Sequence, residues 1–401
     1  MSIKLSTMNS KEGGILPFQY IKPMRMLFII NHLHPSHHQL LSSTSQKSMN
    51  AAVFLGRNKI STRRVMLSDQ KANENTTLLR VKACAVCGYD VRVFRNGHEK
   101  VTPPIVLGHE ICAETNDNLK LANGKIIAAG TRVAISPLIP CLHCAYCSNS
   151  QFNLCRELRE IGSSVNGGFA EFIQVPNRIL QVGGIIPVPD SIKDEEVSLL
   201  EPLSCCINGL SRLNMHSLGK DQSVCIIGDG PIGLIHLKLF NLMRARCIVI
   251  GKIKSRMKVA KALGAEDVIF ANDNLESTAK DILDLTKGVG ANLVIVAASD
   301  PSALALATKI TSKNAQISLF AGMPKGTTFT LDANKLHYNQ LSIIGNFSAT
   351  PNSIHQAIRL VSENQIDLSE IISHHYSLSD IEKALVATES YHGLRHVINK
   401  F

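Results

Sequence analysis

SVCIIGDGPIGLIHLKLFNLMRA, residues 223–245, is the stretch on which the fold turns. Ser223–Ile227 reads as a buried strand of the kind found in parallel sheets, and residues 231–245 read as a helix. Between them Gly228, Asp229, Gly230, Pro231, Ile232 and Gly233 fit the pattern G-x-G-x-x-G. Alone the pattern is a weak signal, and an ordinary glycine-rich turn competes with it. Here it follows a strand and opens a helix, the context that a dinucleotide-binding turn requires. Gly228 permits the tight turn, Gly230 lets a pyrophosphate approach the backbone, and Gly233 lets helix and strand pack closely. The helix start then offers free N–H groups and positive dipole charge to the phosphates.

The next strand, CIVI (247–250), runs into Gly251-Lys252-Ile253-Lys254-Ser255-Arg256. In such a unit an acidic residue ends the second strand and holds the adenosine ribose hydroxyls. Gly251 stands in that place. Without the carboxylate a 2′-phosphate is not repelled, and Lys252, Lys254 and Arg256 would attract one, so the sequence predicts NADP(H) in preference to NAD(H). The competing reading stacks Arg256 near the adenine and leaves the lysines solvated.

Outward from this point the rhythm is strand–helix. SRMKVAKALGA is helical, and DVIF, NLVIVAA, QISLFAG and LSIIGNF are strands with helical stretches between most of them. That alternation predicts an α/β doubly wound parallel sheet over residues 202–345. Before it, from Met49 to Pro189, short alternating strands such as TLLRVKACAVC and GFAEFIQVP are separated by Gly and Pro turns. This predicts a β-rich domain over residues 49–201, joined by residues 346–401, which end in the strand HVINKF. Residues 1–48 differ: HLHPSHH (His32, His34, His37, His38) and LLSSTSQKS read as a solvated, disordered extension, with metal binding by the histidines as the competing reading.

Composition bounds the function. Of the 401 residues 45% are hydrophobic, enough for two domains with sizeable cores. With no Trp and 5% aromatics, a nucleic-acid surface built on stacking is not expected. No apolar run is long enough to cross a bilayer, so no membrane partner is expected. The net charge of +10 comes from scattered residues; Lys4, Lys11, Lys22, Arg25 and Lys47 face a single acid, Glu12, in the extension. A basic balance also suits a phosphate-rich cofactor. Eleven cysteines, an odd number, argue against a secreted disulfide framework and for metal binding in a reducing, cytoplasmic setting. The apolar patch MLFII (26–30) is too short and too far from the start for a signal peptide.

Four of those cysteines, Cys141, Cys144, Cys147 and Cys155, form C-x2-C-x2-C-x7-C. Four thiolates on one loop can close a tetrahedron about Zn²⁺ with no open position, which makes a structural site that orders a loop too poor in apolar residues to fold alone. An iron–sulfur cluster competes with this reading. A second constellation comes from Cys87-Gly88-Tyr89-Asp90, Gly108-His109-Glu110 and Leu200-Glu201-Pro202-Leu203. Cys, His and carboxylate can hold zinc while leaving one position for water or substrate. Taken singly, each is ambiguous, since a lone Cys is usually core and a lone GHE often a turn. Their order alongside the four-cysteine loop and the glycine turn makes coincidence a poor account.

With CGYD, GHE, the four-cysteine loop, GGFAEF (167–172), LLEPLSCCINGL (199–210) and GDGPIG in hand, the chain resembles the zinc-containing medium-chain dehydrogenases, closest to the branch with sorbitol (L-iditol) and threonine dehydrogenases. The resemblance runs from Met49 to the C-terminus. It implies a GroES-like catalytic domain beside a Rossmann domain, and two zinc ions per subunit. It also implies oxidation of a secondary alcohol or polyol with hydride transfer to NAD(P), and a homodimer or homotetramer. A threonine-type amino-alcohol dehydrogenase and a non-catalytic relative are the alternatives. By the same likeness Cys87 and His109 are ligands of the catalytic zinc, and Glu110 binds it directly or from behind. Glu201 binds it or acts through the zinc-bound water, and Asp90 orients His109. Two departures stand out. Tyr89 replaces the usual Ser or Thr that relays the alcohol proton, and residues 111–131 diverge, with Gly130-Thr131-Arg132-Val133 in place of G-D-R-V.

Overall fold

A computed structural model describes residues 48–67, 76–215 and 222–401. Apart from Ser48, the extension expected over residues 1–48 lies outside the described residues. The chain opens with the antiparallel hairpin β1 (Ser48–Gly56) and β2 (Lys59–Met66). Then come β3 (Thr76–Ala85), helix α1 (Gly88–Asn96), β4 (Glu110–Thr115), β5 (Arg132–Ile135), β6 (Phe172–Pro176), β7 (Ile185–Pro187) and helix α2 (Leu200–Leu210).

The parallel sheet is built from β8 (Ser223–Ile227), β9 (Arg246–Gly251), β10 (Asp267–Phe270), β11 (Ala291–Val296), β12 (Thr311–Leu319) and β13 (Ser342–Gly345). Helices α3 (Pro231–Leu242), α4 (Lys254–Ala262), α5 (Leu275–Leu285) and α6 (Pro301–Lys309) make crossovers. The strand order is β10-β9-β8-β11-β12-β13, with every pairing parallel. This is the doubly wound order, with its switch point between β8 and β11. All five residues of β8 are buried, as a central strand covered on both faces requires. Helix α3 starts with Pro231 at its first position behind Gly230, where the missing N–H has no partner to lose. It ends at Leu242, three residues before the predicted end.

After helix α7 (Pro351–Ser362), β14 (Ile372–Ser377) and β15 (Arg395–Lys400) return to the first sheet, whose order is β7-β5-β4-β3-β15-β14, with β6 also on β3. The α/β reading therefore holds. The divergent stretch 111–131 folds regularly: Thr115 donates its N–H to the Thr131 carbonyl and its hydroxyl accepts the Thr131 N–H, each at 3.0 Å, and Arg132 donates to the Ile192 carbonyl at 2.7 Å and to Asp194 at 2.8 Å.

One apolar cluster runs through both sheets. It takes Ala83, Ala85 and Cys112 from the first, Val224, Ile226, Leu293 and Ile295 from the second, and Leu203, Ile207, Ile354 and Ile358 from the two helices between them. Polar contacts also join the halves. Arg92 of α1 reaches Ser299, just beyond the carboxyl end of β11, at 3.5 Å, and Glu99 pairs with Lys325 at 3.1 Å. Helix α1 is thereby set over the carboxyl edge of the parallel sheet, where doubly wound folds bind ligands.

Candidate metal centres and dinucleotide cleft

Strand register assembles the first centre. Ala85 at the end of β3 lies opposite Glu110 on one side and Val397 of β15 on the other. Cys87, two residues beyond Ala85, caps α1 with extended backbone (φ −88°, ψ 152°). The pairing therefore delivers Cys87 to His109 and Glu110 from one side and brings Arg395 up from the other. The ligand atoms of Cys87, His109 and Glu110 all lie within 4.8 Å of one another.

Asp90, with no exposed surface, ties the two loops together. Its Oδ2 accepts the Cys87 N–H at 2.9 Å and its Oδ1 accepts the Gly108 N–H at 3.2 Å, with His109 Nδ1 3.6 Å away. The G-H-E turn depends on the GG of GGFAEF. A Cβ on Gly167 would fall 2.1 Å from the Gly108 carbonyl oxygen, and Gly108 itself has φ +91°. No side chain fits at either place.

Glu110 is 1% exposed, and neither of its oxygens accepts a hydrogen bond among the described residues. Burial pushes its carboxyl up to about 7, against the pull of Arg395, whose Nη1 stands 3.2 Å away. A buried acid with unmet lone pairs, beside a thiol and an imidazole, is a donor set that a divalent cation would satisfy. Glu201 is outside the 4.8 Å group, and its Oε1 accepts the thiol of Cys205, one helical turn along α2, at 3.2 Å. It remains close enough for its charge to act on Glu110. Tyr89 packs edge-on against His109 (5.8 Å) and His98 (5.4 Å), and burial, with Glu160 beside it, pushes its phenol up to about 12.

The second group is Cys141, Cys144, Cys147 and Cys155, all buried, with sulfurs within 4.8 Å. Separations of 3.9 Å (Cys141–Cys147), 3.6 Å (Cys144–Cys147) and 4.0 Å (Cys144–Cys155) match the ~3.8 Å edge of a tetrahedron with ~2.3 Å Zn–S arms. They are far too long for a disulfide, at about 2.05 Å. Of the lobe's other residues only Phe152 and Leu158 pack on the sulfurs, so the loop has little apolar support of its own.

In the glycine turn, Gly228 has φ +130°, and a Cβ there would lie 3.0 Å from the Ala297 carbonyl carbon. A Cβ on Gly233 would lie 1.9 Å from the Gly228 oxygen. Near Gly230 such an atom would meet only Arg256, at 3.9 Å, so the backbone is open to a phosphate from that side. Asp229 brings an acid to the end of β9. Its carboxylate fills the place where Gly251 lacks one: Oδ2 accepts the N–H groups of Lys252 (2.8 Å) and Ile253 (2.7 Å). Meanwhile the Lys252 ammonium pairs with Asp300 at 3.3 Å, and the buried Arg256 donates to the Gly393 carbonyl at 2.8 Å beneath the Tyr391 ring.

Residues 73–190 match the alcohol dehydrogenase GroES-like domain family and residues 231–363 the zinc-binding dehydrogenase family, together more than half of the chain. The chain belongs to the zinc-type medium-chain alcohol dehydrogenases. Within that family it is close to the sorbitol and threonine dehydrogenase branch. It is 28% identical to D-arabitol-phosphate dehydrogenase of Enterococcus avium over 79% of this chain and 88% of that one. It is 25% identical to sorbitol dehydrogenase of Bacillus subtilis over 86% and 95%. Among solved structures, a zinc-binding dehydrogenase from Sinorhizobium meliloti bound to NADP superposes with a TM-score of 0.78 at 25% identity, covering 88% of this chain and all of that one.

Three features escaped the sequence reading. Arg395 carries no motif and becomes part of the site only through the β3–β15 pairing. Cys205 is visible as one helical turn from Glu201, yet nothing in the sequence says that the thiol turns to it. The Asp229–Gly251 exchange spans two strands.

Proposed function

We propose that the protein is a zinc-dependent, nicotinamide-linked dehydrogenase that oxidises a secondary alcohol or polyol to a ketone and catalyses the reverse reduction. The observation that carries this is the convergence of Cys87, His109 and the unsatisfied Glu110 under helix α1, which reaches across to the carboxyl edge of the dinucleotide sheet. In this reading each subunit holds two zinc ions, one at Cys87, His109 and Glu110 and one at the four cysteines, and a dinucleotide lies on Gly228–Gly233. A bound zinc supplies Lewis acidity and a bound nicotinamide supplies the two-electron acceptor.

The chain's own residues do the rest. Asp90 fixes the Cys87 and Gly108 backbones and faces His109, which holds the imidazole in one orientation. Tyr89, its phenol pushed up to about 12, stays protonated at neutral pH and presents an O–H to the substrate oxygen. Glu201, held by the Cys205 thiol, is the carboxylate placed to take the alcohol proton through water. Arg395 offsets the negative charge gathered at Glu110. The crevice between the two halves excludes water and aligns the reacting carbons. Against the preference for NADP(H) expected from Gly251, Lys252 and Arg256 stands the Asp229 carboxylate at the end of β9, which in this reading favours NAD(H).

Metal analysis with a cofactor-reduction screen over polyols and secondary alcohols tests the proposal. Two zinc equivalents per chain and dinucleotide-linked turnover are expected. Cys87→Ala and His109→Ala should each lose one zinc and turnover while still binding dinucleotide, as followed by nicotinamide fluorescence. Full activity in either variant overturns the assignment.

A further inference from the structure

The acid missing from the end of β9 is present on another element. We propose that Asp229, inside the glycine turn, is the group that recognises the adenosine ribose hydroxyls, and that it selects NAD(H) over NADP(H). The inference rests on the reading of Gly228–Gly233 as a dinucleotide site.

The geometry makes Asp229 and Gly251 a matched exchange. Asp229 is 8% exposed, and its Oδ2 accepts both N–H groups that follow β9, from Lys252 and Ile253. A Cβ on Gly251 would fall 2.4 Å from that oxygen and 2.5 Å from the Asp229 Cβ. The side chain that normally starts at position 251 and the one that arrives from position 229 therefore claim the same volume, and only glycine at 251 admits the second. Gly251 thus reports where the carboxylate comes from, not that it is lost.

Only Oδ2 is occupied. No hydrogen bond to Oδ1 occurs among the described residues, which leaves that oxygen to accept from a ribose hydroxyl. A 2′-phosphate would meet the opposite situation. The two backbone N–H groups at the strand end are already used, and the group using them is an anion. The cations nearby do not reverse this. Lys252 is paired with Asp300, and Arg256 has its Nε on Gly393 and its Nη1 toward Gly230. In this reading the pyrophosphate, common to both cofactors, lies at Gly230, so the Arg256 guanidinium, which also stands within electrostatic reach of Asp229, favours neither.

The test is equilibrium binding of NADH and NADPH to the zinc-loaded protein, by nicotinamide fluorescence and calorimetry, with no turnover needed. The wild type should bind NADH at least about tenfold more tightly, the scale of one hydrogen bond to a charged acceptor. Asp229→Asn keeps an oxygen for the two N–H groups but loses the charge, and should reduce the NADH:NADPH ratio by about tenfold or more. The double exchange Asp229→Gly with Gly251→Asp returns the acid to β9 and should restore the wild-type ratio, which guards against a turn that merely collapses in the single variant. Equal or tighter NADPH binding by the wild type, or an unchanged ratio in Asp229→Asn, overturns the proposal. If neither dinucleotide binds the wild type, the cofactor reading itself fails.

Discussion

His236 on α3 is the most exposed to experiment of the buried polar groups, because its environment supplies one force only. It has no accessible surface, and neither ring nitrogen has a hydrogen-bond partner among the described residues. Its neighbours are the Phe240 ring, stacked at 6.2 Å, and the edge-on Phe320 ring at 4.9 Å. Burial alone depresses the imidazole from the usual 6.5 to about 3. The unfolded chain therefore takes up a proton that the folded one refuses. The associated stability is complete above pH 6.5 and is lost as the pH falls from 6.5 toward 3. Each unit in that window costs up to about 1.4 kcal/mol, so moving from pH 8 to pH 5 removes about 2 kcal/mol through this residue. His236→Leu should lose that component and, by removing an unpartnered polar group, should gain about 1 kcal/mol at pH 8. Urea unfolding of both proteins at pH 8 and pH 5, in zinc-containing buffer, gives the difference of differences. His396, held down to about 4 mainly by burial, titrates in both and cancels. If the variant loses as much stability on acidification as the wild type, the imidazole is not shielded from water and the reasoning is refuted.

Three further outcomes follow from the geometry. Cys147→Ser should release one zinc equivalent and open residues 141–155 to proteolysis while leaving dinucleotide affinity intact; two retained zincs would contradict the tetrahedral reading. Asp90→Asn keeps the shape but weakens the hold on His109 and the two N–H groups, and should lower zinc affinity at Cys87 and His109 by about 10- to 100-fold in chelator competition. Gly167→Ala places a methyl 2.1 Å from the Gly108 oxygen, a backbone atom that cannot step aside. It should cost about 3 kcal/mol in denaturant unfolding and lose the first zinc, and a variant as stable as the wild type would show that the G-H-E turn does not depend on this contact.

What was legible in the sequence was what is local. SVCII followed by GDGPIG declares a strand, a turn and a helix within about fifteen residues, and the parallel sheet follows from repeats of that unit. The four cysteines sit on one loop, so their spacing is already their geometry. Cys87 and His109 were harder, since their meeting depends on the register of β3 against β4, and here the order of motifs along the chain substituted for it. Arg395 was out of reach. It is separated from Glu110 by most of the molecule, and nothing short of the β15–β3 pairing reveals that a buried guanidinium answers a buried carboxylate. The Asp229–Gly251 exchange was hidden for the same reason. Gly251 was judged as a residue without a side chain, whereas its meaning lies in the volume it concedes to Asp229. The end of α3 was overrun because Met243, Arg244 and Ala245 continue a helical pattern that the turn into β9 interrupts.

The apolar cluster shared by the two sheets carries a consequence for how the molecule moves and melts. Helices α2 and α7 have no separate allegiance: Leu203, Ile207, Ile354 and Ile358 contribute to a body that neither half can vacate without uncovering the other. Heating should accordingly give one calorimetric transition rather than two. Access to the crevice must then come from slippage at its rim, where Arg92 meets Ser299 and Glu99 meets Lys325, around a spine that stays shut.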